Sequence, residues 1–121
     1  IVLTGWIPES EKVRLLQGAW CLVYVSEIEG WGLCALEAAG CGTPTVAYDV
    51  GALKEVIIDE KTGLLVKHGD ISGLAGALIR ILSDESLRRT LSRNALEWSY
   101  NFDWNKTSSQ ILRYLEVLTR T

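Results

Sequence analysis

Between Gly30 and Gly42, thirteen consecutive residues carry a single charge, Glu37, and this run stands between two β-rich segments, residues 21–26 and 45–48. A helix so apolar has no polar face to turn to water, which predicts a helix buried nearly all round. The segment ahead of it, Cys-Leu-Val-Tyr-Val-Ser, is close to continuously apolar, as a strand buried on both faces of a parallel sheet would be. Strand, buried helix and strand form a βαβ unit, whose crossover is right-handed in nearly all sheets.

The rest of the chain extends this pattern. Residues 1–4 are a short β-branched run stopped by Gly5, and Pro8 opens a helix of about ten residues that ends near Gly18. After Thr43-Pro44 and the strand ending at Asp49, residues 52–58 suit a short helix, and Thr62-Gly63 turns into a strand over residues 64–66. Asp70, Asp84 and Asp103 then stand where N-caps belong, for helices running to about Leu82, Tyr100 and Leu118. In the last of these Ile111, Leu112, Leu115 and Leu118 share one face. Strands alternating with helices predict an α/β fold, a Rossmann-like parallel sheet with flanking helices and a helical C-terminal third. No repeat or linker divides residues 1–121, so one domain is expected.

Composition narrows the classes of function. At 121 residues, 48% apolar and 22% charged, the chain is expected to bury roughly two-thirds of its unfolded surface around one core. No stretch approaches the ~20 apolar residues that span a bilayer, so membrane contact would be peripheral only. Ile1 enters strand-like sequence at once, with nothing resembling a signal peptide, which predicts a cytoplasmic protein whose start is cut from something longer. A net charge of −3, with basic residues scattered apart from Arg88-Arg89, argues against nucleic acid as partner. Cys21, Cys34 and Cys41 form no C-x-x-C pair and His68 is the only histidine, so no metal site or disulfide framework is expected. All three cysteines are read as small buried hydrophobes.

The chemistry concentrates between Ser26 and Pro44. Glu37 has no Lys or Arg within a helical turn, so its partners must come from outside its helix, with ligand hydroxyls good candidates. Gly30 and Gly32 remove side chains where the strand hands over to the helix. Bare backbone N–H groups at a helix start, with the helix dipole behind them, attract an anion such as phosphate. Eight positions separate Glu29, ahead of that start, from Glu37 inside it, so the anion cradle is flanked by two carboxylates able to hold hydroxyls. Phosphate with hydroxyls on two sides describes a sugar nucleotide. A Val at Gly32 is expected to remove the cradle and leave the fold intact.

At this point the chain resembles glycosyltransferase family 4, the group 1 glycosyltransferases of GT-B fold. Glu29-Gly30-Trp31-Gly32-Leu33-Cys34-Ala35-Leu36-Glu37 is similar to the family's E-x7-E motif, continued by residues 38–47. Leu3-Thr4-Gly5 with Ile7, Val50-Gly51 with Glu55, Thr62-Gly63-Leu64-Leu65-Val66 with Asp70, and Phe102-Asp103-Trp104 resemble further family segments in the same order. The resemblance covers essentially the whole chain. It implies the C-terminal, donor-binding domain of a retaining, metal-independent glycosyltransferase. That domain would bind a nucleotide-diphosphate sugar as substrate, with no cofactor, and a missing N-terminal domain would hold a glycan or lipid acceptor.

The resemblance also implies roles. Glu37 would hold the ribose hydroxyls; Glu29, the candidate catalytic residue, would touch hydroxyls of the transferred hexose near the reacting carbon. The backbone of Gly30, Trp31, Gly32 and Leu33 would bind the distal phosphate and stabilise the leaving group. Trp6, Ile7 and Glu55 become candidates for donor or base contacts, against bland readings of Glu29 as a mere cap of the helix start, Glu37 as an ordinary solvated helix residue, Trp6 as a packing residue and Glu55 as a surface carboxylate. Trp20, Trp98 and Trp104 are read as packing aromatics and His68 as a bystander. The chain departs from the family at Val25, where Pro is usual, and at Ala52, where a second Gly is usual. The family's diphosphate-neutralising Arg and Lys lie in upstream β-α units that this chain lacks, as do the two strands expected between residues 1–4 and 21–26. The first strand must therefore pair differently or hang free, and the chain alone is expected to be inactive.

The rival from another class is a nicotinamide- or flavin-binding Rossmann module using Gly30, Gly32 and Asp49, since Gly30-Trp31-Gly32-Leu33-Cys34-Ala35 fits G-x-G-x-x-A. That fingerprint needs the strand to run straight into its first glycine, whereas Glu27, Ile28 and Glu29 intervene with two negative charges. A pure interaction module on the same fold is the third class.

Overall fold

A computed structural model of the chain describes residues 1–119. It contains helices α1 (Glu9–Gly18), α2 (Leu33–Gly40), α3 (Leu53–Val56), α4 (Ile71–Ser83), α5 (Glu85–Ser99) and α6 (Trp104–Thr119) and strands β1 (Leu22–Tyr24), β2 (Thr45–Tyr48) and β3 (Gly63–Val66). The strands make one parallel sheet in the order β1-β2-β3, with Val46 opposite Val23 on one side and Leu64 on the other.

Alternation along β2 divides the core in two. Val46 points to one face, where it packs with Leu64, Ile81 of α4 and Leu91 of α5. Ala47 points to the other, against Ala35 of α2 and Leu53, Val56 and Ile57. Helices cap where short polar side chains allow it: Asp70 and Asp84 accept from the N–H groups of Gly73 and Leu87, and Asp103 accepts from Asn105 N–H at 2.8 Å. Pro8 is the N-cap of α1, as its missing donor and fixed φ favour.

Several expectations fail, for the common reason that a face or strand is buried only when something covers it. Residues 1–4 form no strand; Ile1, Val2 and Leu3 stand exposed, paired to nothing in the sheet. β1 is half-buried rather than enclosed, with Val23 43% exposed, because it is an edge strand covered by α2 while α4 packs mainly on β2 and β3. α2 buries Ala35, Ala38 and Ala39 but exposes Leu33 and Cys34, so it is not buried all round. Cys34 is exposed, and Cys21 and Cys41 are only half-buried, with burial pushing both of the latter thiols up. Of the tryptophans, Trp98 packs as expected, Trp20 lies half open beneath the Arg88 guanidinium, 4.1 Å from its ring, and Trp104 is 85% exposed. The apolar face of α6 exists, yet Ile111, Leu112 and Leu115 are open to solvent.

Candidate functional site

The site lies on the loop from β1 to α2, at the carboxyl end of a parallel strand where α/β folds bind ligands. Gly32 is the N-cap of α2 with φ of 93°, a left-handed conformation suited to glycine. A Cβ on it would lie 2.6 Å from Leu53 Cδ2. A Val there would therefore strain the backbone and collide with the core, so the expectation that the fold would be untouched is overturned. Gly30 differs: its Cβ would meet nothing within 4 Å. The folded chain itself has no need of glycine at that position.

The cradle is not bare. Glu29 turns its half-buried carboxylate onto the helix start, where Oε1 accepts from Gly32 N–H at 3.1 Å and, more weakly, from Trp31 N–H at 3.4 Å. Its Oε2 accepts from the hydroxyl of Tyr24 in a short hydrogen bond. Tyr24 foremost, then the N–H groups of Trp31, Gly32 and Gly30, hold this carboxyl below the usual glutamate range against the opposing effect of burial. In return, Glu29 and then burial push the Tyr24 phenol up to about 12, with the Cys34 thiol adding to the rise. Two of the N–H groups expected to be open thus already hold an anion. Leu33 and Cys34 are the first-turn donors to which the helix offers no acceptor.

Two further contacts fix this loop. Gly51, with φ of 52°, lies so close to the Glu29 carbonyl that a Cβ would overlap its oxygen, and Ala52 N–H reaches the same oxygen at 3.5 Å. Trp31 meets Phe102 edge to face at 6.0 Å, and Phe102 meets Trp98 at 5.6 Å. Trp98 Nε1–H is anchored on Val56 O at 2.9 Å. A groove of about 280 Å³, lined by Trp31, Leu33, Leu36, Phe102 and Trp104 among others, runs beside the cradle.

Glu37 does find its partner outside α2, but that partner is a protein cation. Lys12 Nζ of α1 sits 3.0 Å from Glu37 Oε1 and 2.9 Å from Glu9, and these two carboxylates, Glu9 foremost, raise the lysine's pKa. The Glu37 side chain is 42% exposed, so it is a solvated helix residue rather than a desolvated charge. Oε2 is left out of the Lys12 contact. Trp6 is 89% exposed and does not pack, Ile7 is half-buried, and Glu55 is exposed on α3, whose approach through Gly51 and Ala52 abuts Glu29. Asp49 follows the last residue of β2 and lines a cavity with Asp59, Lys67 and His68, whose ring lies edge to face with Tyr48. β1 ends at Tyr24, so residues 25–29 separate it from Gly30 and the dinucleotide fingerprint lacks its strand-to-glycine junction.

Residue spacing assigns no functional role to Tyr24, Lys12 or Phe102. For Tyr24 the one sequence signal is a polar tip on an otherwise apolar strand; Lys12 lies 25 residues from Glu37 and offers none. Among the described residues no helix is long and apolar enough to cross a membrane.

Residues 1–98 match the family model for glycosyl transferases group 1. Over 119 residues the chain is 35% identical to an uncharacterized glycosyltransferase of Methanocaldococcus jannaschii, an alignment that takes in 98% of this chain and 34% of that protein. Its fold superposes on sucrose-phosphate synthase from Thermosynechococcus elongatus with a TM-score of 0.86 and 35% identity, covering 99% of this chain and 31% of that one. It also superposes on Anabaena Alr3699/HepE in complex with UDP and glucose, with a TM-score of 0.79 and 26% identity over 86% of this chain and 29% of that one. The chain thus spans about a third of the length of the proteins it is similar to. The family match and these superpositions place the chain in the group 1 glycosyltransferases, with the fold of a GT-B C-terminal domain.

Proposed function

We propose that this domain binds a nucleotide-diphosphate sugar at the start of α2 and, in the whole enzyme, presents it for retaining, metal-independent transfer of a hexose to a glycan or lipid acceptor held by another domain. The observation that carries this reading is the carboxylate of Glu29 seated on Gly32 N–H, because it marks the helix start as a place that accepts an oxyanion. A diphosphate would take over the N–H groups of Gly32 and Leu33, with the dipole of α2 offsetting charge on the leaving group. Displaced from those donors, Glu29 would turn an oxygen to the transferred sugar. Glu37 keeps Oε2 for ribose hydroxyls while Lys12 holds Oε1. The likeness to Anabaena HepE, whose complex contains UDP and glucose, favours the same ligand class here.

The test is calorimetric titration of the domain with UDP, GDP and NADH. Weak binding of a nucleoside diphosphate, weakened further in Gly30→Ala, is expected; binding of NADH alone would sink the reading. For the whole enzyme, transfer unchanged by EDTA and an anomeric configuration retained in the product are expected, while the isolated chain should bind weakly and not turn over.

A further inference from the structure

Accepting the role just proposed for Glu29 raises the question of what holds its carboxylate once a donor has arrived. Glu29 lies in a loop, without a helix or ladder to fix its side chain, and its carboxylate is held by the Trp31 and Gly32 N–H groups on Oε1 and the Tyr24 hydroxyl on Oε2. A diphosphate at the helix start competes for the N–H donors and not for the hydroxyl. Tyr24 is well placed to remain. It is the last residue of β1, in register with Ala47, and its ring packs against the core cluster of Ala35, Ala47, Leu53, Val56 and Ile57. Its hydroxyl is thus delivered from the sheet and not from the loop. Cys34, on the first turn of α2, is the other titratable group against that hydroxyl.

We propose that Tyr24 is the positioning residue for Glu29: its hydroxyl keeps hold of Oε2 while the diphosphate displaces Oε1, so that the freed oxygen is aimed at the sugar. This rests on the assignment of Glu29 to the transferred sugar. The same hydrogen bond, which favours the ionised carboxylate, should keep Glu29 charged through the working pH range. No covalent step is involved; Tyr24 retains its proton.

The test uses the whole enzyme with Tyr24→Phe, which keeps the ring and its packing. The expected result is a fall in kcat of about tenfold or more, as for loss of a hydrogen bond to a charged group, with nucleoside diphosphate affinity unchanged. The acid limb of the kcat/KM profile should move to higher pH, because the lost hydrogen bond had lowered the Glu29 pKa; a merely structural role for the ring would not move it. Adding Tyr24→Phe to Glu29→Gln should cost little beyond Glu29→Gln alone. Full activity in Tyr24→Phe beside a crippled Glu29→Gln would overturn the proposal and leave the role of Glu29 standing, as would additive losses in the double variant. Full activity in Glu29→Gln would overturn both.

Discussion

Gly51 abuts the backbone of Glu29 so closely that no side chain can be placed between them, and this contact joins the turn after β2 to the loop that carries the anion cradle. Both a positive φ and a backbone neighbour exclude Cβ there. Gly51→Ala is expected to cost about 1 to 3 kcal/mol of stability and to weaken nucleoside diphosphate binding by shifting the loop backbone that leads into the Gly32 and Leu33 N–H groups. Urea unfolding midpoints and titration calorimetry check this; unchanged values for both would show that the turn and the loop are not coupled.

Gly30 gives the opposite expectation. Its Cβ would meet only open space, so Gly30→Ala should leave stability unchanged or slightly higher while obstructing a ligand that approaches the backbone. An unaltered melting temperature with clearly weaker diphosphate binding is the expected pair of results. Unaltered binding would move the phosphate away from this loop.

Glu37 and Glu29 should fail differently when neutralised. Glu37→Gln removes a charge-assisted acceptor worth about 1.5 to 3 kcal/mol, and should weaken nucleoside diphosphate and intact donor alike. Glu29→Gln should leave nucleoside diphosphate affinity undiminished, or raise it by weakening the rival acceptor on the Gly32 N–H, and lower the transfer rate. Affinities and rates measured side by side in the whole enzyme decide between this and identical losses, which would dissolve the division of labour.

The edge-to-face contacts from Trp98 through Phe102 to Trp31 tie the junction of α5 and α6 to the cradle. Phe102→Ala removes both, at about 0.5 to 1.5 kcal/mol for each aromatic pair. The expected outcome is a lowered unfolding midpoint together with weaker diphosphate binding; loss of stability without any change in binding would make the contacts purely structural.

The Tyr24–Glu29 pair predicts a stability that fails at both ends of the pH scale. The Glu29 pKa is lowered by folding, so its contribution is present above the ordinary glutamate value and is lost as pH falls through the lowered one. Tyr24 is pushed up from about 10 to about 12, so its contribution is full below the ordinary tyrosine value and is lost as pH rises through about 12. Tyrosinate absorbance should show a late-titrating component that is missing in Tyr24→Phe. The stability of Glu29→Gln should fall less steeply in acid than that of the parent.

The features legible in the sequence are those decided within a few residues. Asp70, Asp84 and Asp103 announce their helices because capping joins a side chain to N–H groups two or three residues away. Residues 45–48 read correctly as a strand because β2 is the central strand, covered on both faces, so its apolar pattern and its surroundings agree. The same reasoning misplaced residues 1–4, the second face of β1 and the outer side of α2, because apolarity states only that burial would be favourable; a neighbour has to supply it. The glycines and the two glutamates of the candidate site are legible as a spacing, while their environments are not. Lys12 comes to Glu37 from another helix, Gly51 closes on Glu29 from across the sheet, and Phe102 steadies Trp31 from the far end of α5. Local hydrogen bonding chose which residues could carry chemistry, and long-range packing, which no residue spacing encodes, decided that Glu37 is solvated and paired while Glu29 sits on its own cradle, held there by Tyr24.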